Sequence, residues 1–186
     1  MGLNESKGNM YKWVTHTWNA IKGACPHDCS YCYMKKWGKQ SILHFDEKEL
    51  KTDLGAGNFI FVGSSCDMFA EDIPLDWITK TINHCSEYDN NYLFQTKNPS
   101  RLRLIHHDWH ICTTIETNRS YPEIMRKSPD VWDRAKWMGL LPHKNKYVTI
   151  EPIMDFDFDD LVFLIKSFNP IQVNIGADSG NNNLPE

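Results

Sequence analysis

The 186-residue sequence predicts an α/β fold, a partial parallel (βα)6 barrel, on three observations. Short apolar, β-branched or aromatic runs recur along the chain, and amphipathic stretches of helical period separate them. Their alternation has the rhythm of parallel β/α units rather than of hairpins, and six such units fit a partial barrel, although a doubly wound sheet shares the pattern. With 41% hydrophobic residues the chain is long enough for one well-buried core and short for two, so a single domain over 1–186 is expected.

The first strand is expected over Lys12 to Thr17, where Trp13, Val14 and Thr15 follow one another. The second, Asn58 to Gly63, is the apolar run Phe59-Ile60-Phe61-Val62. Tyr92 to Gln95, Ile111 to Ile115, Tyr147 to Ile150 and Ile171 to Ile175 complete the six. Helical patterns lie near Ser30 to Trp37, Leu75 to His84, Ser100 to His106, Pro129 to Met138 and Phe158 to Phe168. Pro74 suits the start of the second, and Asp157 or Asp159 could cap the last. The sequence reaches Glu186 soon after the sixth strand, without the helix expected to follow it; a minimal open barrel and a longer natural chain both accommodate this.

No apolar stretch approaches the roughly 18 to 20 residues that span a bilayer, and the polar start to Lys12 is not signal-like, so a cytoplasmic protein is expected. The formal charge of −4 argues against a chain built mainly to hold polyanions. Lys35, Lys36 and Lys39 form a small basic cluster behind the cysteine loop at 25–32, read as a solvated helix face.

The most specific motif is Cys25-Pro26-His27-Asp28-Cys29-Ser30-Tyr31-Cys32. Three cysteines in eight residues gather thiolates around one inorganic centre, and three rather than four leave an iron–sulfur cluster with an open iron. A zinc site of the three thiols with His27 is the alternative, but its ligands would crowd into one loop instead of two knuckles. Three clustered thiols cannot all pair as disulfides.

The C-x3-C-x2-C spacing, with the aromatic Tyr31 before its last cysteine, resembles the signature of the radical S-adenosylmethionine (SAM) superfamily. The resemblance implies a [4Fe-4S] cluster on Cys25, Cys29 and Cys32, with SAM chelated at the fourth iron beside Tyr31. It further implies reductive cleavage of SAM to a 5′-deoxyadenosyl radical, with an electron donor such as flavodoxin or ferredoxin. Later strand ends resemble the spore photoproduct lyase family: Thr96-Lys97, the fourth strand running on to Glu116 and Asn118, and Glu151-Pro152-Ile153.

On that likeness Lys97 would pair with the SAM carboxylate, and Glu116 and Asn118 would hold ribose hydroxyls or the methionine amine. Ser64 and Ser65, where the superfamily offers groups to the SAM amine, and Glu151 at the barrel mouth complete the set; Arg119 is a further candidate, with an ion pair to Glu116 as its plain alternative. Cys66 is a candidate hydrogen-atom donor to a substrate radical, whereas Cys85 and Cys112 read as core thiols. Thr17-Trp18-Asn19, Glu151-Pro152 and Gly176-Ala177-Asp178-Ser179 also resemble a phage-associated three-cysteine family.

The implied substrate is a nucleotide or single-stranded nucleic acid. Modification of a peptide or small molecule, and a non-enzymatic iron–sulfur or zinc module, are the alternatives. Trp18, Trp37 and Phe69 are candidate aromatic anchors at the rim, each with the core as its default place.

Overall fold

The six runs predicted as strands form the parallel part of one seven-stranded sheet. The computed structural model describes residues 2–7, 11–178 and 180–185; Ser179 of the late motif lies outside them. In chain order the strands and helices are β1 (Asn4–Glu5), β2 (His16–Trp18), β3 (Ile21–Lys22), β4 (His44–Phe45), β5 (Phe59–Val62), α1 (Leu75–Ser86), β6 (Asn91–Thr96), β7 (His110–Thr114), α2 (Pro122–Met125), α3 (Val131–Leu140), β8 (Lys146–Ile150), α4 (Phe158–Lys166) and β9 (Gln172–Ile175). The sheet order is β1-β2-β5-β6-β7-β8-β9; β1 pairs antiparallel with β2, and the other neighbours are parallel. With β1 and β9 as its edges, the sheet is open among the described residues. No helix among the described residues is long and apolar enough to cross a membrane.

Three expectations change. The first strand shortens to His16–Trp18 because the chain before it turns, Val14 N donating to Tyr11 O at 3.0 Å. Tyr11 and Val14 then tuck against Leu93, Cys112 and Tyr147. The helices expected at Ser30 to Trp37 and Ser100 to His106 are 3-10 turns, Tyr33–Trp37 and Pro99–Leu104. Hydrogen bonds of the i to i+3 kind, such as Lys35 N to Cys32 O at 2.9 Å, wind the chain tightly there. Asp157 precedes α4 but makes no side-chain cap, because its carboxylate is taken by Arg119. By contrast α3 is capped by Asp130, which accepts from Trp132 N at 2.9 Å.

Register decides which face each side chain takes. Trp18, Ile60, Val62, Phe94, Ile111 and Val148 point to the side where Ile78 of α1, Met138 of α3 and Leu161 and Leu164 of α4 close the main core. Trp18 and Phe69 are wholly buried there, as are Cys85 and, on the other face, Cys112. On that second face the 11–14 segment covers the strand starts, while Thr17, Phe61, Gln95, Thr114 and Thr149 face a cavity.

The cysteine loop hangs from a small ladder that the sequence did not announce. β3 and β4 pair as Ile21↔Phe45 and Lys22↔His44 and close residues 23–43 into a loop, secured by Lys22 Nζ donating to Asp46 at 2.8 Å and Glu49 at 2.6 Å. Gly23 enters it at φ 101°, and a β-carbon there would lie 2.5 Å from Ile42 O and 2.9 Å from Leu43 Cα. Neither neighbour is a side chain able to move aside. Gly23→Ala is expected to lose about 1–3 kcal/mol, measured as a lower Tm in thermal unfolding.

Candidate functional site

At the carboxyl ends of the parallel strands lies a cavity of about 800 Å³, where α/β folds collect their ligands. Cys25, Cys29 and Cys32 all line it, and all three are free thiols. The backbone turns twice between them, Asp28 N donating to Cys25 O at 3.1 Å and Cys32 N to Cys29 O at 3.2 Å, with Asp28 in the left-handed region at φ 52°. The α2 region braces the loop from behind: Ser30 N donates to Ile124 O, Cys29 Sγ contacts Met125 O at 3.7 Å, and Arg126 pairs with Asp28.

The donor set suits a cluster better than one ion. Tetrahedral zinc holds thiolates about 3.8 Å apart, given Zn–S bonds near 2.3 Å. Among the described residues the exposed His106, His107 and Asp108 each bring one ligand atom within 4.8 Å of the others. His27 is engaged elsewhere, its Nε2 lying 2.9 Å from Asp67 Oδ2.

Asp67 ties the cysteine loop to two strand ends. Its Oδ2 also accepts from Thr96 Oγ1 at 2.9 Å and Lys97 N at 2.8 Å, and its Oδ1 from Phe69 N at 3.0 Å. Burial alone would raise the Asp67 pKa, but the hydrogen bond and charge of His27 outweigh it and the pKa is lowered. Burial likewise opposes the charged form of His27, yet Asp67 raises its pKa. Cys66 is buried and lines the cavity beside Cys25; their hydrogen bond lowers the Cys25 pKa and raises that of Cys66.

Beneath the cysteines is a charged knot. Lys97 Nζ donates to the Tyr31 hydroxyl at 2.8 Å and to Glu116 Oε1, and lies 4.8 Å from the centre of the Tyr31 ring. The Tyr31 hydroxyl also donates to Glu116 Oε1, while Arg134 Nη1 donates to Glu116 Oε2 at 2.9 Å. Glu116 and Arg134 are both 0% exposed. Burial would raise the Glu116 pKa, but the charges of Arg134 and Lys97 reverse this and hold it well below the usual carboxylate range. Burial, followed by the Glu116 charge, pushes the Tyr31 pKa up.

No protein-family model and no curated protein matches the sequence. Solved structures do match. The fold is similar to that of spore photoproduct lyase. A cysteine-to-serine variant of that protein superposes with a TM-score of 0.66 at 13% identity, over 94% of this chain and 58% of that one. A form complexed with dinucleoside spore photoproduct gives 0.60 at 12% identity, over 93% and 57%; a mutant with bound AdoMet and that dinucleoside gives 0.58 at 14%, over 90% and 57%. The chain thus spans less than two thirds of the spore photoproduct lyase chains, and at these identities the likeness is one of fold.

Within this spore photoproduct lyase-like fold, Tyr31, Ser64, Ser65, Cys66, Lys97 and Glu151 share the cavity with the three cysteines. Ser65 is fixed by Asn19, whose Oδ1 accepts from Ser65 N and Ser65 Oγ at 3.0 Å each. Burial raises the Glu151 pKa against the opposing charge of Lys97. Gly176 packs so closely on Glu151 that a β-carbon would lie 2.8 Å from its Cδ.

Glu116, Asn118 and Arg119 are not among the cavity-lining residues. Glu116 stands behind Lys97 and Tyr31 with both oxygens engaged. Asn118 Oδ1 accepts from Asp157 N at 2.8 Å, and Arg119 pairs with Asp155 and Asp157, not with Glu116. The sequence reading missed Arg134 and the His27–Asp67 link as partners of the site. Arg134 carried no signal, being one polar residue of α3 until the fold brings it under β7.

Proposed function

We propose that the chain is a radical SAM enzyme acting on a nucleotide or single-stranded nucleic acid, on a partial β/α barrel with its mouth at the cavity. The observation that carries this reading is the convergence of three free thiols, Cys25, Cys29 and Cys32, on one cavity at the strand ends, with His27 turned to Asp67 instead. Cys25, Cys29 and Cys32 would hold a [4Fe-4S] cluster. Reduced by a donor such as flavodoxin or ferredoxin, such a cluster would supply the electron for reductive cleavage of SAM.

The chain's own residues bind and orient. Lys97 presents an ammonium to the SAM carboxylate, and Tyr31 and Glu116 hold that ammonium in place. Ser64, Ser65 and Glu151 offer hydroxyl and carboxylate partners to the SAM amine, ribose or substrate. Asn118 and Arg119 act at one remove, by ordering the loop before α4. Cys66, one of the cavity walls, is the hydrogen-atom donor in this reading.

The nucleic-acid part of the proposal is supported by two of the similar structures, which contain a dinucleoside lesion. It is supported also by the neutral hydrogen-bonding floor, where the Tyr11 hydroxyl donates to Gln95 Oε1 at 2.7 Å and Gln95 Nε2 to Thr114 Oγ1 at 3.1 Å.

Anaerobic reconstitution with iron and sulfide, then 5′-deoxyadenosine formation from SAM under reduction, tests the reading; stoichiometric zinc with no 5′-deoxyadenosine would overturn it. Lys97→Ala is expected to keep its iron and lose roughly ten- to a hundredfold in SAM affinity by equilibrium dialysis, the worth of one charged hydrogen bond. Unchanged affinity would remove Lys97 from the site.

A further inference from the structure

Beside the cavity mouth, the loop after the cysteines presents a large aromatic ring to solvent. Trp37 is 78% exposed and Ile42 88%, with Tyr33 half-exposed nearer the cavity. The loop is nonetheless braced. Gln40 Nε2 donates to Met34 O at 2.9 Å and Gly38 O at 3.0 Å, Gly38 N to Lys35 O at 3.2 Å, Ala24 N to Ser41 O at 2.9 Å, and the Tyr33 hydroxyl to Ser64 O at 2.6 Å. Trp37 is therefore held outward by an ordered turn.

In a chain of net charge −4, residues 29–45 contain Lys35, Lys36 and Lys39 and no acidic residue, while Asp178 lies within reach of the Lys36 charge. Lys35 is tied to Asp28 at 2.8 Å and serves the loop itself. Tyr33 and Lys36 also line the cavity, so the patch runs continuously into it.

We propose that this loop is a landing platform for single-stranded nucleic acid, with Trp37 stacking on a base and Lys39 meeting a phosphate next to the base that enters the cavity. The inference rests on the nucleic-acid reading above and adds to it where the strand is gripped. Exposed aromatic faces beside lysines are the usual means of holding single strands without reading sequence. Continuity with the cavity favours a substrate strand over an acidic electron-transfer protein, which the same charge would also attract.

Fluorescence anisotropy with a labelled oligothymidylate, over a series of salt concentrations, tests the proposal. Trp37→Ala should weaken binding about 5- to 100-fold, Trp37→Phe should recover most of it, and Tm should be unchanged. The variant Lys39→Ala should lower the slope of log affinity against log salt by roughly 0.7, the share of one phosphate lost. Wild-type protein that binds no oligonucleotide, or variants that bind like wild type, would overturn the platform. So would variants with normal oligonucleotide affinity but slower reduction by flavodoxin, since the face would then belong to the electron donor. SAM cleavage with dithionite and no oligonucleotide is read in parallel. If it persists while the oligonucleotide fails to bind, the platform alone falls; if it too is absent, the enzyme reading falls with it.

Discussion

Alanine at any one of Cys25, Cys29 or Cys32 is expected to abolish the broad visible absorption and most of the bound iron after anaerobic reconstitution, whereas Cys85→Ala retains both. The three thiols line one cavity, and removing one would expose a second iron of the proposed cluster and make it labile. Cys85 is a suitable control because it is wholly buried in the main core, away from that cavity. A Cys29→Ala protein that kept a full, SAM-cleaving cluster would sink the assignment of the triad.

The second large effect concerns stability. Glu116→Ala leaves the fully buried Arg134 guanidinium without its counter-charge and frees Lys97 and Tyr31 from their shared acceptor. Breaking a buried pair in this way costs about 3–5 kcal/mol, a large share of the roughly 5–15 kcal/mol that holds a domain folded. Urea unfolding at neutral pH should show the midpoint fall accordingly; an unchanged midpoint would mean that Arg134 is satisfied without Glu116.

The same carboxylate gives a pH dependence. Its folded pKa is depressed by Arg134 and Lys97 against the effect of burial, so its stabilisation is complete above the unfolded value of about 4.3 and is lost as pH falls below that. The wild-type protein should weaken steeply in acid, and Glu116→Gln should flatten that limb while lowering stability at neutral pH. Asp67, depressed by His27, leaves part of the acid sensitivity in place.

Local pattern was enough for what depends on neighbours in the chain. The cysteine motif lies within one loop, so its spacing alone brought three thiols together, and the strands Asn58 to Gly63, Tyr92 to Gln95 and Tyr147 to Ile150 were legible because a continuous apolar run has few other uses. Long amphipathic segments such as Leu75–Ser86 were legible for the same reason. Short ones were not: over five or six residues the periods of a 3-10 turn and an α-helix differ too little, and only the hydrogen bonding of 33–37 and 99–104 separates them.

Tertiary structure alone decided which polar residues at the strand ends meet the cavity. Thr114 of β7 faces it, while Glu116, two residues on, is drawn under the cysteine loop by Arg134 from α3 and Lys97 from the end of β6. Asp67 joins His27 across 40 residues, and Tyr11 reaches the floor only because the chain before β2 leaves the sheet. Trp18, Trp37 and Phe69 were equal candidates for the rim, yet two are sealed in the core and one stands in solvent. Sequence specifies side-chain chemistry and local period, but burial and charge pairing come from segments far apart in the chain that share a place only once the sheet has its register.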